Sequence, residues 1–134
     1  MSAISEIAGC FAQNISHIEN YGKRIEAGEL ATYRGYQMTS DDLIRQRAIL
    51  DLMCNFHLSF KGMDERFDFD SRRYFSLELN ELEPFIDDGV VAISDDGVDV
   101  LPAGRIFVRN VAMVFDIYLR NKREEGIPLF SRTI

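Results

Sequence analysis

The segment from residue 88 to residue 102 constrains the fold more than any other part of the chain. Two β-prone runs, 90–93 and 98–101, flank Ser94-Asp95-Asp96-Gly97. Asp-Gly between branched residues supplies the positive φ of a tight turn, so the segment reads as a β-hairpin. Asp88-Gly89 marks a turn before it, and Pro102 suits the first turn of a helix after it. A lone hairpin is marginal in water, so this one has to pack on helices supplied by the rest of the chain.

Those helices are legible on both sides. Ser40 is a natural N-cap, followed by Asp41 and Asp42 in the first turn, where carboxylates complement the helix dipole. Ile49, Leu52, Met53 and Phe56 then make a stripe at helical spacing, and the helix is expected to end within 55–57. A short helical turn follows at 63–67. Asp70 or Ser71 caps the next helix, with Phe75, Leu79, Leu82 and Ile86 on one face and a kink at Pro84. Residues 103–121 form the most apolar segment, expected as one central helix. Earlier in the chain, Ile15, Ile18, Gly22 and Ile25 share a helical face that Gly28 stops. Residues 30–38 read as extended or loop-like, and 2–13 as either a short buried helix or a strand entering a larger fold. The fold class is therefore mainly α with a small β-hairpin, and the helix, helix, hairpin, helix order is winged-helix-like.

With 134 residues the chain can bury an ordinary core, and it contains no apolar run of 18 residues that would span a membrane. The first residues lack the basic start and apolar run of a signal peptide, so a cytoplasmic protein is expected. Its two cysteines, Cys10 and Cys54, are then expected to be reduced, buried thiols. The net charge of −7 places nucleic-acid binding at a disadvantage, because that affinity comes mostly from neutralised phosphates.

No catalytic centre follows from the residues themselves. Cys10, Cys54, His17 and His57 lack the spacing of a zinc or iron–sulfur site, and no P-loop or Gly-x-Ser-x-Gly occurs. His57 reads as a dipole partner at a helix end. Asp87-Asp88 and Asp95-Asp96 sit beside glycines and read as turn chemistry rather than cation ligands. The arginines of the last apolar segment, Arg105, Arg109 and Arg120, could hold an anion. The competing structural reading pairs Asp116 with Arg120 and gives the others to carbonyls or to the Glu-rich helix before the hairpin.

Three stretches carry a resemblance. They are Ser2-Ala3-Ile4-Ser5 with Ala12-Gln13-Asn14, then Leu52-Met53-Cys54-Asn55-Phe56, and a C-terminal set. That set comprises Asp88-Gly89-Val90-Val91, Gly104-Arg105, Arg109-Asn110, Met113, Phe115-Asp116, Tyr118-Leu119 and the closing Phe130-Ser131-Arg132-Thr133-Ile134. In order and spacing they resemble the C-terminal part of the oxygen-independent coproporphyrinogen III oxidases, over essentially the whole chain. The resemblance implies that residues 1–13 are a remnant of the junction with a radical domain, and that 14–134 form a C-terminal accessory domain. It implies an oxidoreductase of haem biosynthesis, converting two propionates of coproporphyrinogen III to vinyl groups with a 4Fe-4S cluster and S-adenosylmethionine. The family's Cys-x-x-x-Cys-x-x-Cys motif is absent here, so the radical S-adenosylmethionine barrel is expected upstream of Ser2. This chain would then hold no catalytic residue, metal or cofactor of its own. Leu101-Pro102 stands where the family usually has threonine.

Residue by residue, the resemblance transfers one cofactor contact, Ile4, and makes Arg105 and Arg109 candidates for substrate carboxylates. The alternative is a free-standing winged-helix module binding a protein or nucleic acid, although the wing tip 94–96 is acidic. The two readings differ in what they expect of Ile4, Ile7 and Phe11. These are poorly packed if a barrel normally covers them, and fully packed if the domain stands alone.

Overall fold

The computed structural model describes residues 3–126, so Ser2 and the closing 130–134 motif lie outside the described residues. The chain divides into two compact units, Met1–Leu43 and Ile44–Ile134. The junction expected to end at residue 13 stops inside a strand, whose partners continue to Gln37.

The first unit is built on a meander. Strands β1 (Ile4–Ile7) and β2 (Cys10–Asn14) form an antiparallel pair with Ile7 opposite Cys10. The turn residues Ala8 and Gly9 have φ of 50° and 76°, the two left-handed positions of a tight hairpin turn. Helix α1 (Ile18–Glu26) follows, and Gly28 ends its run at φ 73°. Strand β3 (Thr32–Gln37) then pairs with β2, giving the order β1-β2-β3. Strand, not helix, is thus the outcome for 4–14. The sheet is unburied: β1 and β3 are exposed along their whole length.

Helix α2 (Ser40–Asn55) begins one residue earlier than a Ser40 cap would place it. Thr39 supplies the cap: its Oγ1 accepts from Asp42 N at 3.1 Å, while Asp42 Oδ2 accepts from Thr39 N at 2.7 Å. Phe56 stops the helix by adopting φ 58°, a costly conformation for an aromatic residue. The chain is then free to extend into β4 (His57–Ser59).

The second unit gathers α3 (Phe60–Phe67), α4 (Ser71–Tyr74), α5 (Ser76–Glu81) and α6 (Glu83–Asp87) around the hairpin β5 (Val91–Ile93) and β6 (Gly97–Val100). Asp70 caps α4 by accepting from Arg73 N at 2.9 Å. Of the expected stripe, Phe75 and Leu82 are buried, Leu79 is half-buried and Ile86 is exposed, and it runs over three short helices rather than one kinked helix. The hairpin has a third strand: β4 pairs with β6, in the order β4-β6-β5.

The expected central helix is also divided. A 3-10 helix (Pro102–Phe107) leads into α7 (Val108–Met113), and α8 (Ile117–Glu124) starts anew. Asp116 causes the restart, since its Oδ1 accepts from Tyr118 N and Leu119 N at 3.0 and 3.1 Å. Phe75, Phe115, Leu52, Leu58, Val98 and Val111 are fully buried in one core. Each contributes ~1.5–3 kcal/mol of apolar burial. Edge-to-face contacts run from Phe69 through Tyr74 and Phe75 to Phe115 at 5.0–5.2 Å between neighbouring centroids. The architecture is mainly helical with two small antiparallel sheets. No helix among the described residues is long and apolar enough to cross a membrane.

Candidate functional site

The first sheet presents side chains in two rows because cross-strand partners share a face. Ile4, Gln13 and Arg34 form one row, and Glu6, Phe11 and Tyr36 the next. Ile4, Phe11, Gln13, Arg34 and Tyr36 line a groove of about 550 Å³. A second groove of about 300 Å³ shares Gln13 and Arg34 and adds His17 and Tyr33. Ile4, the residue assigned to a cofactor by resemblance, is 65% exposed at the rim of the larger groove, and Ile7 is 71% exposed. Phe11 is half-buried.

Two residues of this unit went unnoticed in the sequence. Arg34 donates from Nε to Gln13 Oε1 at 2.6 Å. Tyr36 donates its hydroxyl to Asp42 Oδ2 at 2.8 Å. The period-2 pattern of 32–37 could have placed Arg34 and Tyr36 on one face. Gly35 in the middle obscured it.

In the second unit the three arginines separate. Arg105 and Arg109 are exposed, with the Arg105 guanidinium 4.7 Å from the Phe56 ring centroid. Arg120 turns inward. It donates to Glu78 Oε1 at 2.9 Å, Glu81 Oε2 at 3.1 Å and the Val114 carbonyl at 3.1 Å. The expected Asp116–Arg120 pair therefore gives way, because Asp116 is committed to capping α8. The Glu-rich segment, expected to receive Arg105 or Arg109, is instead reached by Arg120.

Glu78 is 1% exposed and receives a second guanidinium, Arg45 Nη1, at 2.8 Å. Burial pushes the Glu78 carboxyl up, but hydrogen bonds from Arg45, its own backbone and Arg120, with the Arg45 charge, outweigh it. The carboxyl is held below its ordinary value of 4.5. Arg45–Glu78–Arg120 is a buried tie between α2, α5 and α8 rather than an open anion site.

His57 is not at a helix end. It opens β4 opposite Asp99, and its Nδ1 lies 2.8 Å from Asp99 Oδ1. Both side chains are over 40% exposed, so the pair contributes little to stability. The acidic tip of the β5–β6 hairpin is tied to its own unit, where Arg72 Nη1 donates to Ser94 O and Asp95 Oδ1. The cysteines depart from expectation: Cys54 is exposed and Cys10 half-buried, with its thiol donating to Gln37 Oε1 at 2.8 Å.

The fit to the implied cofactors is uneven. An iron–sulfur cluster needs several converging thiolates, and Cys10 and Cys54 fall in different units. No group of three or more His, Cys, Asp or Glu side chains converges among the described residues. These residues do not fit a cluster. The groove at Ile4, with an apolar rim and one cation, fits part of a small organic ligand.

Comparison with known proteins gives a consistent set. Residues 38–107 match the family described as the HemN C-terminal domain. The chain is 37% identical over its whole length to the oxygen-independent coproporphyrinogen III oxidase of Escherichia coli, covering 29% of that protein. It is also 37% identical to the enzyme of the same name from Pseudomonas aeruginosa, covering 28% of it. Among solved structures, coproporphyrinogen III oxidase (HemN) from E. coli, described as a radical SAM enzyme, superposes over 88% of this chain. The TM-score is 0.82 with 36% identity, and 27% of that structure is covered. The chain thus spans less than a third of the length of these relatives.

Proposed function

Because the chain belongs to the HemN C-terminal domain family, we propose that it is the C-terminal accessory domain of an oxygen-independent coproporphyrinogen III oxidase. In this reading a radical S-adenosylmethionine domain precedes the chain and carries the cluster. That intact protein decarboxylates two propionates of coproporphyrinogen III to vinyl groups. Residues 1–13 are then the remnant of the junction with the radical domain, and 14–134 form the accessory domain. Ile4 contacts the cofactor region, while Arg105 and Arg109 are offered to substrate carboxylates. The helices and hairpin of the second unit are winged-helix-like, with β5–β6 as the wing.

The observation that carries the reading is the exposure of the first sheet. Ile4, Ile7, Tyr33 and Tyr36 are 65%, 71%, 73% and 46% exposed, and β1 is an edge strand. Soluble proteins rarely leave such a face and edge uncovered, which supports a covering domain. The same exposure weighs against a self-sufficient module, and the acidic hairpin tip with Asp95 and Asp96 weighs against nucleic acid.

The test is an anaerobic assay of the intact, cluster-loaded protein with coproporphyrinogen III, a reductant and S-adenosylmethionine. Stoichiometric release of carbon dioxide and 5′-deoxyadenosine with vinyl products is the expected result. A cluster-loaded protein that cleaves S-adenosylmethionine but leaves the propionates intact would overturn the assignment.

A further inference from the structure

The second unit carries a groove of about 560 Å³ formed by α5, α6 and α7, remote in sequence from the first sheet. Phe85, Met113 and Val114 are half-buried and give it an apolar floor. The exposed Glu81, Glu83 and Asp87 add three carboxylates. Glu81 is neutralised by Arg120 at 3.1 Å. Glu83 and Asp87 are not, since neither has an ion-pair or side-chain hydrogen-bond partner among the described residues. Arg120 spends its bonds on Glu78, Glu81 and the Val114 carbonyl. Arg109, which precedes the groove residue Asn110, forms no ion pair with either carboxylate. The side-chain amides of Asn80 and Asn110 line the same groove, also without partners among the described residues.

Local structure accounts for Glu83, which lies in the first turn of α6. It does not account for Asp87 in the last turn, where a carboxylate opposes the unsatisfied carbonyls of the helix end. At a spacing of four residues on a helix the two side chains start roughly 6 Å apart. Alternate residues of an extended peptide, which share a face, are about 6.6 Å apart. We propose that this groove docks an extended basic segment of a partner protein. Two arginines or lysines at i and i+2 pair with Glu83 and Asp87. An aromatic or aliphatic residue at i+4 packs on Phe85 and Met113, and the Asn80 and Asn110 amides are available to the segment's backbone. Charge complementarity selects this occupant: two uncompensated carboxylates beside an apolar floor favour cations on an apolar body, and disfavour a second copy of a chain whose net charge is −7. The proposal is independent of the oxidase reading.

The full chain is titrated by calorimetry with the probe peptide acetyl-Arg-Ala-Arg-Ala-Phe-amide. Glu83→Gln and Asp87→Asn are each expected to weaken binding about fivefold, and the double variant about twentyfold. Asp96→Asn removes the same charge from the hairpin tip and should leave the affinity within twofold. All three positions are exposed side chains without hydrogen bonds, so folding is not at stake. A peptide with citrulline at both arginines should lose as much as the double variant, and one with alanine for phenylalanine should weaken about fivefold. Undiminished binding of the citrulline peptide, an Asp96→Asn effect equal to those of the groove variants, or no binding of the probe would overturn the proposal. Spermidine binding as tightly as the probe, with no loss when the phenylalanine is removed, would reassign the groove to a free polyamine. Self-association of the chain that the double variant abolishes would reassign it to a second copy. Either reassignment ends the partner reading.

Discussion

Glu78→Ala is expected to destabilise the second unit by about 3–5 kcal/mol, the usual effect of removing one member of a buried ion group. The carboxylate is shared by Arg45 and Arg120, whose side chains are 13% and 14% exposed. Deleting it removes the carboxylate both guanidinium groups share, leaving Arg120 with Glu81 and the Val114 carbonyl and Arg45 without this ion pair, in poorly solvated surroundings. Arg120 Nε already lacks a hydrogen-bond partner among the described residues, so the site has little spare capacity to compensate. Glu78→Gln keeps the shape and loses the charge, and should recover only part of the loss. The pH dependence follows from the lowered carboxyl. A group depressed on folding contributes stability above its unfolded value of about 4.5, lost as pH falls through the lower folded value. Urea midpoints at pH 7 should therefore separate wild type from Glu78→Gln, and the gap should narrow as the pH is lowered below about 4.5. A gap that stays constant down to pH 3 would contradict the assignment.

Gly97→Ala and Gly104→Ala are the other large effects. A Cβ at Gly97 would stand 2.0 Å from the Leu58 carbonyl oxygen, and one at Gly104 would stand 2.1 Å from that of Val90. In both cases the obstacle is backbone, so no rotamer change relieves it. The β4–β6 pair or the start of the 3-10 helix has to move, at a cost of about 3 kcal/mol or more, the upper end for overpacking. Gly22→Ala is the control. It lies within α1 with nothing within 4 Å, and should stabilise that helix by about 0.5–1 kcal/mol. Midpoints from urea unfolding decide the matter, and equal effects for the three variants would refute it.

Gly97 also shows how a correct reading can rest on a wrong reason. The hairpin is present, but Gly97 lies in β6, outside the left-handed region, and is needed because β4 crosses so closely. Strand β4 was invisible because three residues after a helix carry no usable period, and Phe56 makes the turn that glycine would have advertised. The β1–β2 hairpin was obscured in the same way, since Ala8 occupies one of its left-handed positions. Helix positions were legible from the 3.6-residue spacing, but the stripes are core only in part: Leu52, Phe75 and Leu82 are buried, while Ile18, Ile25, Met53 and Ile86 are exposed. The break at Leu82 was legible from Pro84, whereas those at Phe75 and Asp116 were not, the latter because it depends on one side-chain cap. The partner expected for Arg120 was Asp116, and the partner it has is Glu78. Its identity depends on α5 and α8 meeting, 42 residues apart.

The central claim is that this chain acts as the C-terminal part of a radical enzyme. An antibody against the chain, used on the cells that express it, tests that claim directly by the size and activity of what it captures. The chain makes up 29% of its E. coli relative, so the account predicts one species of roughly 460 residues. Captured without oxygen, that species should turn coproporphyrinogen III into a vinyl product only when S-adenosylmethionine is present. A single species of 15.4 kDa, inactive and without an iron–sulfur protein captured alongside it, would contradict the account.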